Sequence, residues 1–193
     1  MAVSTFDRTK WGTLVDDDGS NTVGTQWNKA KVAEVYDDLD TTLGRLARCM
    51  IFNNGTQSIT SGAFAALTFN AEDFDDSSMH STSSNTSRIT IPTNMGGDYL
   101  VGGATFFAAN ATGVRQIRIT KNGGTQVLTG GLHAGFSVSS VGPIIQCYGM
   151  IRLAAADYIE LEVNQDSGGP LNVGQAGATH NYLQSQFFAT RLL

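Results

Sequence analysis

The stretch Ser87-Arg88-Ile89-Thr90-Ile91-Pro92, followed closely by Gly97-Asp98-Tyr99-Leu100-Val101, constrains the fold more than any other part of the chain. Ile89 and Ile91 alternate with Arg88 and Thr90, which is the two-residue period of a half-buried strand. Pro92 removes a backbone donor and closes that strand. Gly96-Gly97-Asp98 forms a turn, and a longer strand follows through Tyr99, Val101, Thr105 and Phe107. Its centre is Gly102-Gly103-Ala104, where another backbone or a bulky ring has to come close.

The same alternation recurs downstream. Ile159, Leu161 and Val163 are expected to face inward, with Glu160 and Glu162 outward. Lys121-Asn122-Gly123-Gly124 carries the Asn-Gly pair of tight hairpins, in which both central residues need positive φ. Further strands are expected at 57–60, 64–69, 88–91, 99–108, 114–121, 125–128, 136–141, 144–153, 158–164 and 186–192. Short strands at regular spacing, without βα alternation, define an antiparallel sandwich or barrel.

The first fifty residues differ. Residues 1–25 read as an irregular arm containing Trp11, Leu14 and Val15 and the acidic run Asp16-Asp17-Asp18-Gly19. With Gly19 in the glycine place of an EF-hand, the first and last ligand positions fall on Leu14 and Thr25, so the calcium-loop pattern fails. Residues 26–50 interleave charges with aliphatics, and Thr25 can cap a helix start. Val32, Val35, Leu39, Leu46 and Met50 recur at three- and four-residue steps, with one place missed at Thr42. That is an amphipathic helix, either packed on its own domain or bundled with copies of itself as a stalk. The head then occupies residues 51–193.

At 193 residues the chain has room for one sizeable core plus an appendage. Charged residues make up only 15%, and the low charge is expected of a surface partly covered by other protein. A formal charge of −5 and the lack of any Lys/Arg cluster argue against nucleic acid as partner. No apolar run is long enough for a membrane span, so membrane insertion is not expected. Two cysteines, Cys49 and Cys147, are too few for a disulfide framework and fit buried small hydrophobes in a reducing cytoplasm.

Catalytic patterns fail in turn. His80, His133 and His180 each neighbour turn residues and are expected to be exposed, and no Gly-x-Ser-x-Gly accompanies them. Metal spacings such as His-x-x-x-His or Cys-x-x-Cys do not occur. Gly130-Gly131 and Ser167-Gly168-Gly169-Pro170 read as turns without the lysine of a phosphate loop. No enzyme and no cofactor is expected.

Several dispersed segments together resemble a known family. They are Phe69, Asp73-Phe74-Asp75, Arg88 to Pro92, Gly97-Asp98-Tyr99, Ile119 to Gly123, Leu153 to Leu161 and Phe187-Phe188. This pattern resembles the jelly roll of the complement-q and tumour necrosis factor superfamily, in particular the versions in tailed-bacteriophage virion proteins. Trp11 to Ser20 and Gly24 to Asn28 resemble the lead-in of phage structural proteins. One departure is Ala156, where the family usually has glycine before the aspartate of a turn.

The resemblance implies a mainly β homotrimer, with an arm and one helix ahead of the head. Tyr148, Tyr182, Phe187 and Phe188 are the candidates for the trimer seam, and Val32, Val35, Leu39, Leu46 and Met50 for the stalk. Trp11, Leu14 and Val15 become a virion anchor that binds the major capsid protein or another virion component. Some family heads bind calcium, which makes Asp73, Asp75 and Asp76 weak candidate ligands against a solvated acidic loop. The expected role is a capsid decoration or head-fibre protein on the virion surface, assembled in the bacterial cytoplasm. The alternative is a tail appendage that contacts a host glycan or receptor.

Overall fold

The chain divides into two units, Met1–Arg45 and Leu46–Leu193. The computed structural model describes residues 47–134, 142–177 and 182–192, all within the second unit. Trp11, Leu14, Val15, Val32, Val35, Leu39, Leu46, His180 and the strand expected at 136–141 lie outside the described residues.

Twelve strands make up the described domain, and every pairing among them is antiparallel. The first sheet has the order β4 (Ala71–Asp75), β1 (Arg48–Asn53), β12 (Ser185–Arg191), β6 (Gly97–Phe106), β9 (Ile144–Leu153). The second runs β3 (Ala65–Ala66), β10 (Tyr158–Gln165), β7 (Val114–Lys121), β8 (Thr125–Ala134), with β5 (Arg88–Thr90) also paired to β10. A small ribbon of β2 (Gln57–Ile59) and β11 (Leu171–Val173) is joined to the chain after β6 by a bridge between Phe107 and Val173.

The core follows from side-chain alternation along these strands. From the first sheet Cys49, Ile51, Tyr99, Val101, Ile145, Cys147, Phe187 and Ala189 point inward and are buried. From the second come Ile89, Ile117, Ile119, Ile159, Leu161 and Val163, all buried. Gly103 of β6 lies directly under Leu161 of β10, and a Cβ there would stand 2.5 Å from Leu161 Cδ2. The small residue in mid-strand is therefore what lets the two sheets close. Phe69 stacks on Phe187 with ring centroids 5.8 Å apart. Tyr99 is also fully buried and satisfies its hydroxyl by donating to the Met95 carbonyl at 2.6 Å.

Several boundaries correct the sequence reading. The helix expected over 26–50 cannot reach its stated end, because Arg48–Asn53 is strand β1. Cys49 and Ile51 dive into the core while Met50 faces the other way, so Met50 belongs to the head rather than to a stalk. Gly130 and Gly131 lie inside β8, not in a turn. Strands β1, β4 and β11 were not expected, and β3 covers only two of the six residues at 64–69. Glu160 is mostly buried rather than solvent-facing, because Ser87 and Arg88 close over its carboxylate.

Two turns show how local residues fix the register. At Lys121–Gly124, Asn122 and Gly123 both have positive φ (52° and 77°), as the Asn-Gly pair requires. The Asn122 side chain then reaches across to β10, accepting from Tyr158 N at 3.0 Å and donating to Asp157 Oδ1 at 2.8 Å. Asp157 also accepts from Ala154 N and from Lys121 Nζ. These donors, Asn122 first, hold the Asp157 carboxyl below the usual carboxylate range. A carboxyl lowered by folding adds stability above its unfolded value of about 3.9, and that share is lost as pH falls through the folded value. Asp157→Asn should therefore cost about 1 kcal/mol at pH 7 and flatten the acid limb of a melting-temperature profile between about pH 5 and 2.

Ala156 completes the neighbouring turn with φ of 67°. Its N–H donates to the Ile91 carbonyl, and Asp157 N closes the turn on Ala154 O. The glycine-type conformation is thus kept with an alanine, which strains the backbone. Ala156→Gly relieves that strain but frees the unfolded chain, for a net gain of about 0.5–1 kcal/mol. A calorimetric melting point higher by ~2 °C would check this.

Candidate interaction face

The outward side of the first sheet carries the surface that the core does not use. Register alone sets its main row: Phe74 of β4 lies opposite Met50 of β1, Met50 opposite Phe188 of β12, Phe188 opposite Gly102 of β6, and Gly102 opposite Tyr148 of β9. The row crosses all five strands without a charged residue. At Gly102 a Cβ would sit 2.7 Å from the Phe188 ring and 2.8 Å from Tyr148 Cβ, so glycine is what allows the two aromatics to close over the strand. A parallel row brings Leu100 opposite Met150.

Exposure is greatest on β9, with Tyr148 70% exposed and Met150 73% exposed. Between Met50, Leu100, Ala104, Gln146, Tyr148 and Phe188 the face holds a shallow depression of about 270 Å³. The charged groups near it are at the margin. Asp98 and Arg152 form a two-bond pair between β6 and β9, each bond 2.8 Å, and Arg152 holds the Asp98 carboxyl below its usual range.

The second sheet has the opposite character. On its outer side Arg118 pairs with Glu162 at 2.6 Å and covers the Phe64 ring, and Arg88 lies 4.0 Å over the Tyr158 ring. Thr120 donates to Glu162, and Lys121 pairs with Asp157. One outer face therefore carries an uncharged apolar row flanked by the Arg48–Asp76 and Asp98–Arg152 pairs, the other is charged and internally paired. Desolvating the first is favourable, whereas covering the second requires those ions to be stripped of water.

The four aromatics expected at a seam are thus divided. Tyr148 and Phe188 lie together on the apolar face. Tyr182 is 71% exposed but lies in the connection before β12, outside that row. Phe187 is corrected: it is fully buried in its own domain against Phe69, because adjacent strand residues point to opposite sides. Phe74, Leu100, Gly102 and Met150 were missed, although each is adjacent in sequence to a residue that faces inward or is a two-residue step from one that faces out.

The acidic loop is organised as a cap. Asp75 accepts backbone N–H groups from Met79 and His80, both at 2.9 Å, and from Ser77 at 3.3 Å. Asp76 pairs with Arg48, and Asp73 lies in β4. Among the described residues no group of three or more His, Cys, Asp or Glu side chains could hold a metal ion. His80 is a second correction: its side chain is 0% exposed rather than solvated. Burial pushes the Cys147 thiol up to about 12 and raises Cys49 further still, so neither is a nucleophile.

This architecture is an antiparallel jelly-roll sandwich with an apolar row across one outer face. No family model matches the chain, and no curated protein matches its sequence. Solved structures do. The globular domain of zebrafish complement 1qA protein superposes with a TM-score of 0.53 at 15% identity, covering 76% of this chain and 98% of that one. Murine APRIL gives 0.54 at 9% identity, covering 77% and 100%. Eiger TNF from S. frugiperda gives 0.50 at 14% identity, covering 78% and 94%. At such identities the likeness is one of fold, and none of the three is described as a virion protein.

Proposed function

We propose that the domain is a non-enzymatic head that self-associates as a trimer through the outer face of the first sheet. The observation that carries this reading is the uncharged row Phe74–Met50–Phe188–Gly102–Tyr148, set against a second sheet whose outer charges are already paired. Interfaces of permanent assemblies bury on the order of 2,000 Å² or more and are rich in aromatics and methionine, and this face has that composition. The resemblance noted in the sequence supplies the stoichiometry.

On the same resemblance the trimer decorates a phage capsid. Residues 26–46 form its stalk, and the arm with Trp11, Leu14 and Val15 is held by the major capsid protein or another virion component. The alternative is a tail appendage that binds a host glycan or receptor. Sedimentation equilibrium of the purified chain should give three times the monomer mass, and a stable monomer would overturn the proposal. Antibody labelling of intact particles separates capsid from tail, and absence from particles would remove the virion role while leaving the trimer intact.

A further inference from the structure

The twelve-residue connection between β4 and β5 holds an open cavity of about 220 Å³ against the start of β5. Its walls are fixed by the backbone. Asp75 accepts the N–H groups of Ser77, Met79 and His80, Met79 is buried in the core, and the Met79 carbonyl accepts from Thr90 N at 2.7 Å. At the far end Ser81 Oγ accepts from Ser84 N at 3.2 Å, and the Asn85 carbonyl accepts from Arg88 N at 3.0 Å. Ser78 and Asn85 take positive φ (54° and 51°) where the connection turns.

None of the residues lining this cavity is acidic. Ser78, Ser84 and Thr90 bring hydroxyls and Asn85 an amide, and none of these four side chains has a hydrogen-bond partner among the described residues. Arg88 brings the one permanent charge, on the outer side of β5, while Ile89 enters the core. Its Nε donates to Glu160 Oε1 at 3.4 Å, and its guanidinium lies 4.0 Å over the Tyr158 ring. Glu160 is itself mostly buried and also accepts from Ser87 Oγ at 2.7 Å. One edge and one face of the guanidinium are thereby held. Nη1 and Nη2 have no acceptor among the described residues.

We propose that this cavity is a binding site for a single sugar unit that carries a carboxylate. The free Nη edge of an arginine held from behind matches the two oxygens of a planar carboxylate. The neutral hydroxyls and the amide, which both donate and accept, match the hydroxyls of a sugar ring. The volume lies below that of pockets for drug-sized ligands and suits one ring. A phosphate or sulfate would bring more charge than one arginine, already shared with Glu160, can meet. A neutral sugar would leave the guanidinium edge without an ionic partner. The site makes no use of the apolar face of the first sheet, so it stands apart from self-association and from any particle.

The test uses the full chain labelled with nitrogen-15, titrated with sodium galacturonate against sodium chloride of equal ionic strength. Amide shifts at residues 78–90 should saturate with a dissociation constant on the order of 1 mM. Galactose, which lacks the carboxylate, should bind about tenfold more weakly. Arg88→Lys keeps the charge but loses the fork, and should weaken galacturonate about tenfold while leaving galactose unchanged. Asn85→Gly suits the positive φ and should cost about fivefold. The linear trimer of galacturonate, bound as tightly as the monomer, marks a unit of a polymer as the ligand, and its exclusion marks the free acid; either result keeps the site. Shifts at 78–90 that fail to saturate by about 50 mM galacturonate would overturn the proposal. So would equal binding of galactose. Both are read on the wild-type chain and stand even if Arg88→Lys fails to fold.

Discussion

Tyr148→Glu combined with Met150→Glu is expected to turn the assembled head into a folded monomer. Both side chains are more than two-thirds exposed on β9 in the single domain, so their replacement removes little from its core. In a trimer closed over this face, six carboxylates would gather in a desolvated space. Like charges brought together in that way cost several kcal/mol, enough to weaken assembly by about a thousandfold or more. Sedimentation velocity at micromolar concentration reads the mass, and circular dichroism reads the retained β signal. A double variant that sediments as the wild type does would remove this face from the interface.

Phe187→Ala is expected to act on folding instead. The ring is fully buried, stacked on Phe69, and lies in β12 between β1 and β6 at the centre of the first sheet. Truncating a buried phenylalanine to alanine typically costs about 3–5 kcal/mol, from lost transfer energy and from the cavity left behind. Urea unfolding should show a lower midpoint at an unchanged slope, with the extrapolated unfolding free energy reduced by that amount. The same truncation at Phe188, one residue along, acts on the opposite side of the sheet and should chiefly weaken self-association. The two neighbours thus separate folding from assembly.

That separation marks the limit of what could be read from the sequence. The alternations in Val114–Lys121, Ile144–Leu153 and Tyr158–Gln165 are regular, and those strands fall where the pattern puts them. In Phe187-Phe188 two identical residues must point opposite ways, and only the pairing with Gly103 and Gly102 decides which goes inside. Met50 reads as helical in the sequence because its four-residue step from Leu46 suits a helical stripe as well as a strand suits its neighbours Cys49 and Ile51. Strand β4, with the sequence AEDFD, lacks the β-branched residues that announce a strand, and it exists because β1 offers it an edge. The enclosure of His80 was not visible at all, since it arises from Glu72 and Thr86 meeting across a loop.

The two cysteines are separated by the sheet itself. Cys49 is on β1 and Cys147 on β9, with β12 and β6 lying between them. Three strand spacings of about 4.8 Å put the two Cα atoms far beyond the ~7 Å that a bridge can span. An intramolecular disulfide between this pair is therefore closed to the folded head, and its two sheets are held by packing and strand pairing alone, so a change of thiol redox poise leaves both cysteines unlinked.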